Sequence, residues 1–378
     1  MTQNSGWKAL FAIVLASVIS EYSLLVMPFI VGAMIDAYHI SEALAGRIVA
    51  LQLAGMAVAA VGVSYLMSRL NRRKAIAFSA LLIVAANIAC AVGHSVILLA
   101  AARFTTGLAE GTLMGIAGAI AAGTARPEKT FSAVGLAVAV AASIALFATP
   151  YIVELGGRRG TFWFLALFAA TVLPVISLIP HRISQTVPTF GDTVMKLNPL
   201  LALFAFAAFW AGCAGFWVYA ERIGLHQGMT LTEIGFYLSI GQIAGIPGPM
   251  LVPYLARRLS LPLLFIMAIV IDLAAGLTFV FATTGWVYSL GAALLSFWAM
   301  FLTPCFRTLM AFIDRSGTVV AASVAFFTIG YGAAPLIVGF FLVPDQGYAP
   351  VAIICTIFFI LSVISVIRPA RKVTTALA

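Results

Sequence analysis

Four charged side chains stand inside long apolar runs of the sequence: Glu21, Arg103, Glu110 and Asp272. A charge at the centre of a bilayer costs from about 3 kcal/mol upward, so such groups face a cavity or a partner. A carboxylate held between burial, which favours its neutral form, and an arginine, which favours its charged form, is switched by whatever moves the arginine or admits water. The chemistry on offer is proton binding and release. Glu21 sits in "SVISEYSLLVMPF", 13 residues after Lys8 and 15 before Asp36. That is about 20 Å from either polar marker at the helical rise per residue. Asp272 lies 14 residues from both Arg258 and Trp286, again at mid-span, with no partner assigned. Arg103, Gly107, Glu110 and Gly111 share one stripe of a helix, about 100° wide. The two glycines let a neighbouring helix come close. Arg103 and Glu110 are two turns apart, about 10 Å along the axis. Arg103 is expected to take its partner from another helix, and Glu21 is the best available. The alternative is Arg103 with Glu110, helped by bending or water.

The elements that must position these groups follow from composition. The 378 residues are 63% hydrophobic and 9% charged, with a mean hydropathy of +1.12. Soluble domains carry about 25% charged residues, so a polytopic membrane protein is expected, with lipid solvating the outside of each helix. The first apolar run, Ala9 to Met34, is too long for a signal peptide and reads as a membrane span. The net charge of +9 is read as loop Lys and Arg serving topology rather than as a nucleic-acid surface. Cys90, Cys213, Cys305 and Cys355 fall in apolar runs at unrelated spacings and read as small buried hydrophobes. His39, His94, His181 and His226 lie at helix ends or in loops, so no metal site is expected within the membrane, and no cofactor. An embedded enzyme would need a His or Cys constellation near the membrane face. None is found, and no G-x-x-x-x-G-K-S/T loop for ATP occurs.

Twelve spans can be drawn, at about 9–34, 45–67, 75–93, 95–123, 131–155, 161–180, 199–220, 232–255, 261–283, 286–306, 318–343 and 348–367. Most reach the ~20 residues a bilayer requires. With both termini in the cytoplasm, 16 of the 21 Lys and Arg fall on the inner side, and Arg47, Arg158, Arg159 and Arg222 on the outer. That asymmetry fixes the orientation, and the bacterial inner membrane is the expected location. "SYLMSRL" (Ser64–Leu70) resembles "PYLARRL" (Pro253–Leu259) at an offset of 189, and "SIALFATPYIV" (Ser143–Val153) resembles "TIGYGAAPLIV" (Thr328–Val338) at an offset of 185. Two matches near one offset imply two parallel six-helix halves. The expected organisation is an N-terminal bundle over 1–180, a polar cytoplasmic linker over 181–198 (His181–Asn198) and a C-terminal bundle over 199–378. Two such halves suggest a binding site near the midplane.

This arrangement resembles the major facilitator superfamily. The turn from Ser64 to Lys74 is similar to that family's signature G-x-L-a-D-R-x-G-R-K/R: Leu66, Arg69, Arg72 and Arg73 match, while Ser64, Ser68 and Asn71 depart from it. "RFTTGLAEG", Arg103 to Gly111, resembles the fourth-helix signature R-x-x-x-G-x-x-x-G. The resemblance implies an all-α fold of twelve helices in two pseudo-symmetric bundles, working by alternating access. It implies that helix 1 lines a central cavity, which makes Glu21 the expected proton carrier, with Glu110 as its competitor and Arg103 as charge partner. It also implies that Arg69, Arg72 and Arg73 form a turn governing conformation. The helix-5 signature G-x-x-x-G-P survives only as Pro150, since Ala145 and Thr149 replace its glycines. Helix 11 carries a nearer version in Gly330, Gly332 and Pro335.

Aromatic residues crowd the second half, and Trp210, Trp298 and Tyr331, with Tyr22 and Gln242, are the candidate cavity residues. The expected activity is proton-coupled transport of a small, partly apolar or aromatic organic molecule. Two carboxylates against one arginine favour neutral or cationic cargo, and so export. A proton symporter importing a small organic acid or metabolite is the alternative, and a non-transporting sensor on the same scaffold the next. The expected partners are the small-molecule substrate, protons and membrane lipid, without nucleic acid. A monomer is expected.

Overall fold

The computed structural model describes residues 3–66, 70–122, 124, 127–178, 194–256, 258–314, 317–342 and 347–377. Twelve stretches among them are helical, long and apolar enough to cross a membrane. The first expected span is broken. Helix α1 (Gln3–Leu25) stops, Val26 takes φ −105° and ψ 18°, and α2 (Met27–Tyr38) restarts. Pro28 is the cause: it has no N–H to give one turn back, yet suits the first turn of a new helix. Spans two to five are α3 (Glu42–Leu66), α4 (Arg72–Val92), α5 (Val96–Ala122) and α6 (Pro127–Gly156, with Pro150 inside it). The sixth combines α7 (Gly160–Ala170) with a 3-10 turn, Leu173–Leu178.

In the second half, α8 (Leu197–Val218) is followed by the short α9 (Ala220–His226). The eighth span is α10 (Leu231–Ala244) and α11 (Gly248–Leu255), separated where "GIPG" interrupts the backbone ladder. Thr230 and Glu233 start α10 with a reciprocal capping box, which satisfies N–H groups that a helix start leaves without partners. Then come α12 (Leu261–Val280), α13 (Gly285–Ile313), α14 (Thr318–Phe341) and α15 (Ala349–Leu377). The last runs past the expected end at 367 and through Pro369, so Arg368, Arg371 and Lys372 belong to the helix. Residues 181–193 of the expected linker lie outside the described residues, and α8 already opens at Leu197.

The chain divides into two compact units. The first holds Met1–Ser41 and Leu51–Val187, the second Glu42–Ala50 and Pro188–Ala378. In the first unit α4 packs along α5 and α7, and α1 packs along α5 and α6. Its core is apolar, built from residues such as Ile13, Ile83, Leu113, Ile116 and Val172. At one end Arg158 pairs with Asp36 at 2.6 Å, and Arg159 donates to the carbonyls of Ala91 and Gly93 at 3.0 and 2.6 Å. In the second unit α8 is the hub for α14 and α15, while α13 packs along α10 and α12. The first two turns of α3 belong to this second unit. There Tyr348 donates to the Glu42 carboxylate, and burial, then that carboxylate, pushes the Tyr348 hydroxyl above its usual range. A β-carbon on Gly46 would lie 2.5 Å from the Pro335 carbonyl oxygen and from the Tyr219 hydroxyl, so glycine is needed for that approach.

Candidate functional site

The polar interior of the first unit is built by α1, α3, α4 and α5. On α1 the serines differ in their use. Ser17 and Ser20 bond back to the carbonyls of Ile13 and Ser17, at 2.9 and 2.8 Å. Ser23 instead crosses to α5 and donates to the Glu110 carboxylate. The other carboxylate oxygen accepts from Gln52 Nε2 on α3 at 3.1 Å. Glu110 is 1% exposed, so these two donors replace the water it leaves. The approach is possible because α5 and α3 touch backbone to backbone. A β-carbon on Gly107 or Gly111 would collide with the carbonyls of Gln52 and Met56. The glycines on the charged stripe therefore serve the packing that brings Gln52 to Glu110.

Arg103 is fully buried one stretch along the same α5 face. Its Nη2 donates to Asn87 Oδ1 on α4 at 2.5 Å and to Thr106 Oγ1 at 3.2 Å. Asn87 is oriented by its own amide, which donates to the Ile83 carbonyl at 2.8 Å. The guanidinium lies over the Phe162 ring of α7, 5.5 Å from its centre, a favourable place for a delocalised cation. Among the described residues Arg103 Nε and Nη1 and Gln52 Oε1 have no hydrogen-bond partner. A cavity of about 10 Å³ lies between Glu110 and Asn87, walled also by Tyr22, Ser23 and Phe168. That is room for about one water molecule. Acid, gap, amide and cation thus follow one another across the unit.

The expected Arg103–Glu21 pair is not formed. Arg103 takes Asn87, Thr106 and Phe162 instead. Glu21 is half-buried, and it stands two residues from Ser23, about 200° round the helix from the face that meets Glu110. The alternative pairing with Glu110 makes no direct ion pair among the described residues either; the water-sized cavity and Asn87 lie between them. Tyr22 is buried in the first unit, its ring 4.2 Å from Phe168 and 6.1 Å from Phe164. Sequence reasoning missed Ser23, Gln52, Asn87 and Thr106. Their signal was available, as polar residues inside apolar runs, but small polar residues in helices usually bond their own backbone.

In the second unit Trp210 on α8 is half-buried, set edge-on to Phe327 at 4.8 Å and 6.3 Å from Tyr331. Its indole N–H has no partner among the described residues. Trp298 on α13 packs apart from these, on Phe297 and Phe301 at 5.2 and 5.1 Å. Gln242 accepts from Ser296 at 2.9 Å. So the structure gathers Trp210 with Tyr331 and leaves Trp298 and Gln242 in other contacts. Asp272 on α12 is fully buried, accepting from the Cys213 thiol on α8 at 3.5 Å. Arg69 lies outside the described residues. Arg72 and Arg73 come after the second span, past the end of α3 at Leu66. They open α4 behind the Asn71 cap, which accepts from Lys74 N at 3.2 Å. A helix start disfavours cations, so the macrodipole does not explain them. Pro150 lies within α6, and Pro335, within α14, accepts from the Tyr219 hydroxyl at 3.1 Å.

Comparison with known proteins gives the context for these geometries. No curated protein matches the sequence significantly. Solved structures of similar fold include a bacterial homolog of the human lysosomal transporter Spinster, at 15% identity and TM-score 0.74, covering 100% of this chain and 98% of that one. The nucleoside transporter NupG matches at 12% identity and TM-score 0.74, covering 97% and 98%. A D-xylose-proton symporter matches at 15% identity and TM-score 0.74, covering 96% and 97%. Identities this low speak to fold alone. The sequence profile of the Major Facilitator Superfamily matches residues 9–335, which takes in Glu21, Arg103, Glu110 and Asp272, and the chain belongs to that superfamily.

Proposed function

We propose that this transporter is proton-coupled and that Glu110, rather than Glu21, is the carboxylate that carries the proton. The observation that supports this is the buried position of Glu110, held by Ser23 and Gln52 and bordering a gap large enough for one water. Losing the proton leaves a carboxylate with donors already aimed at it. Gaining it neutralises a group that water no longer solvates. Arg103, tied to Asn87 on the far side of the gap, provides the fixed positive charge against which either state is set.

The cargo in this reading is a small organic molecule, partly apolar or aromatic, because Trp210 and Tyr331 offer ring faces and an indole N–H. Two carboxylates against one arginine favour neutral or cationic cargo, and outward movement in exchange for an entering proton. The Lys and Arg distribution supports cytoplasmic termini and a bacterial inner membrane. The chain is taken to act as a monomer.

The test uses proteoliposomes under an imposed pH gradient, offered a panel of small aromatic amines and neutral aromatic compounds. Wild type should accumulate a member of the panel, and accumulation should collapse with the gradient. Glu110→Gln should lose gradient-driven accumulation while keeping exchange of internal for external compound. Undiminished accumulation by Glu110→Gln, with loss in Glu21→Gln, would return the role to Glu21.

A further inference from the structure

We propose that Asp272 is a second proton-binding site, set in the interior of the second unit and chemically independent of Glu110. Asp272 is fully buried on α12. One carboxyl oxygen, Oδ2, meets the Cys213 thiol at 3.5 Å, and the other, Oδ1, has no hydrogen-bond partner among the described residues. Among the described residues Cys213 on α8 meets it, and Cys355 on α15 and Tyr331 on α14 stand near that thiol. None of these is a cation. An ionised carboxylate here would have neither water nor a counter-charge, which costs several kcal/mol. The neutral acid leaves only one hydroxyl without an acceptor, a far smaller penalty.

A merely polar contact does not require an acid. An asparagine does this elsewhere in the chain: Asn87, also buried within a helix, fills both hydrogen-bonding directions with its amide. An asparagine at 272 would fill the same volume. What aspartate adds is the capacity to bind and release a proton. Larger cations are a poor fit: among the described residues no group of three or more His, Cys, Asp or Glu side chains could hold a metal ion. Cys213 lies three residues from the half-buried Trp210, on the same face of α8. On uptake a proton from water forms an O–H bond at Oδ1. On release the electron pair stays on the carboxylate and the proton returns to water.

The role of such a site in transport rests on the proton-coupled reading above, but the binding itself is measured without substrate. Full-length protein in lipid is titrated by infrared spectroscopy, with aspartate isotope-labelled at the side-chain carboxyl carbon. Wild type should show a label-sensitive band of a protonated carboxylic acid, lost in Asp272→Asn and shifted in Cys213→Ala. The band should move within minutes of transfer to heavy water. It should persist in Glu110→Gln, so failure of Glu110 as carrier is read separately. The label reports on wild type even where Asp272→Asn does not fold. Absence of a protonated aspartate band overturns the proposal. So does a band that resists heavy water as long as the buried backbone amides, since that acid would be sealed and purely structural.

Discussion

The interiors of the two units solve the same packing problem with opposite chemistry. Asn87 and Arg103 are buried on α4 and α5 of the first unit, Asp272 and Tyr288 on α12 and α13 of the second. In the first unit amide and guanidinium bond each other at 2.5 Å. In the second, Tyr288 turns its hydroxyl to the Ala220 carbonyl at 2.8 Å and its ring onto Phe279 at 4.3 Å. Asp272 is left with a thiol. The first unit therefore buries a cation whose polar partners are neutral, with an acid beyond a water-sized gap. In the second, Asp272 is buried with no cation among its described contacts. The two units share helix spacing over these spans but not their buried charges. A helix pair tolerates any side chains of suitable volume at its contact, but each buried charge needs its own local partners.

The largest break in the comparison is expected at the α3–α5 contact. Gly107→Leu forces a side chain into the Gln52 backbone and should cost more than about 3 kcal/mol, abolishing the monodisperse species in size-exclusion chromatography. At the α10–α13 contact of the second unit Ala292 already carries a β-carbon against Gly241, and Ala292→Gly should cost only about 1 kcal/mol. Next is Arg103→Leu, which strands the Asn87 carbonyl in a dry interior and should cost about 2–3 kcal/mol. Adding Asn87→Leu should recover most of that loss, seen as strong coupling in a double-mutant cycle of thermal midpoints. Additive losses would mean that the Arg103–Asn87 bond is not what holds the two helices.

Ser23→Ala should be milder, about 1–2 kcal/mol, because Glu110 keeps Gln52 but loses its hydroxyl donor. Its signature is a thermal midpoint that falls less in Ser23→Ala/Glu110→Gln than the sum of the single changes. The smallest effect is expected for Asp272→Asn, within about 1 kcal/mol of wild type, since one weak thiol contact is all that changes. A large loss of stability in Asp272→Asn would erase the contrast between the units, giving Asp272 the structural place that Asn87 has.

The spans were legible because lipid demands long apolar runs, and so Leu261–Val280 could be read almost to its ends. Pro28 was also visible, yet whether a proline kinks, ends or restarts a helix depends on what packs around it. That is why Ala9–Met34 looked continuous. Arg103, Glu110 and Asp272 could be singled out by the cost of burying charge, and Gly107 and Gly111 by their spacing along one helix face. Their partners could not. Ser23, Gln52 and Asn87 are the kind of residue that most often satisfies itself within its own helix.

The sequence by itself determined the class, the twelve spans and the short set of buried ionisable groups. These are one-dimensional properties, set by transfer free energy and by the 3.6-residue turn. Only the tertiary structure decided that Arg103 answers to Asn87, that Glu110 takes Ser23 and Gln52 as its donors, and that Asp272 has no cation beside it among the described residues. Helix rotation and depth settle those pairings. A turn of about 100° per residue carries a side chain from one neighbour to another, and no periodicity in the chain fixes that angle until the helices pack.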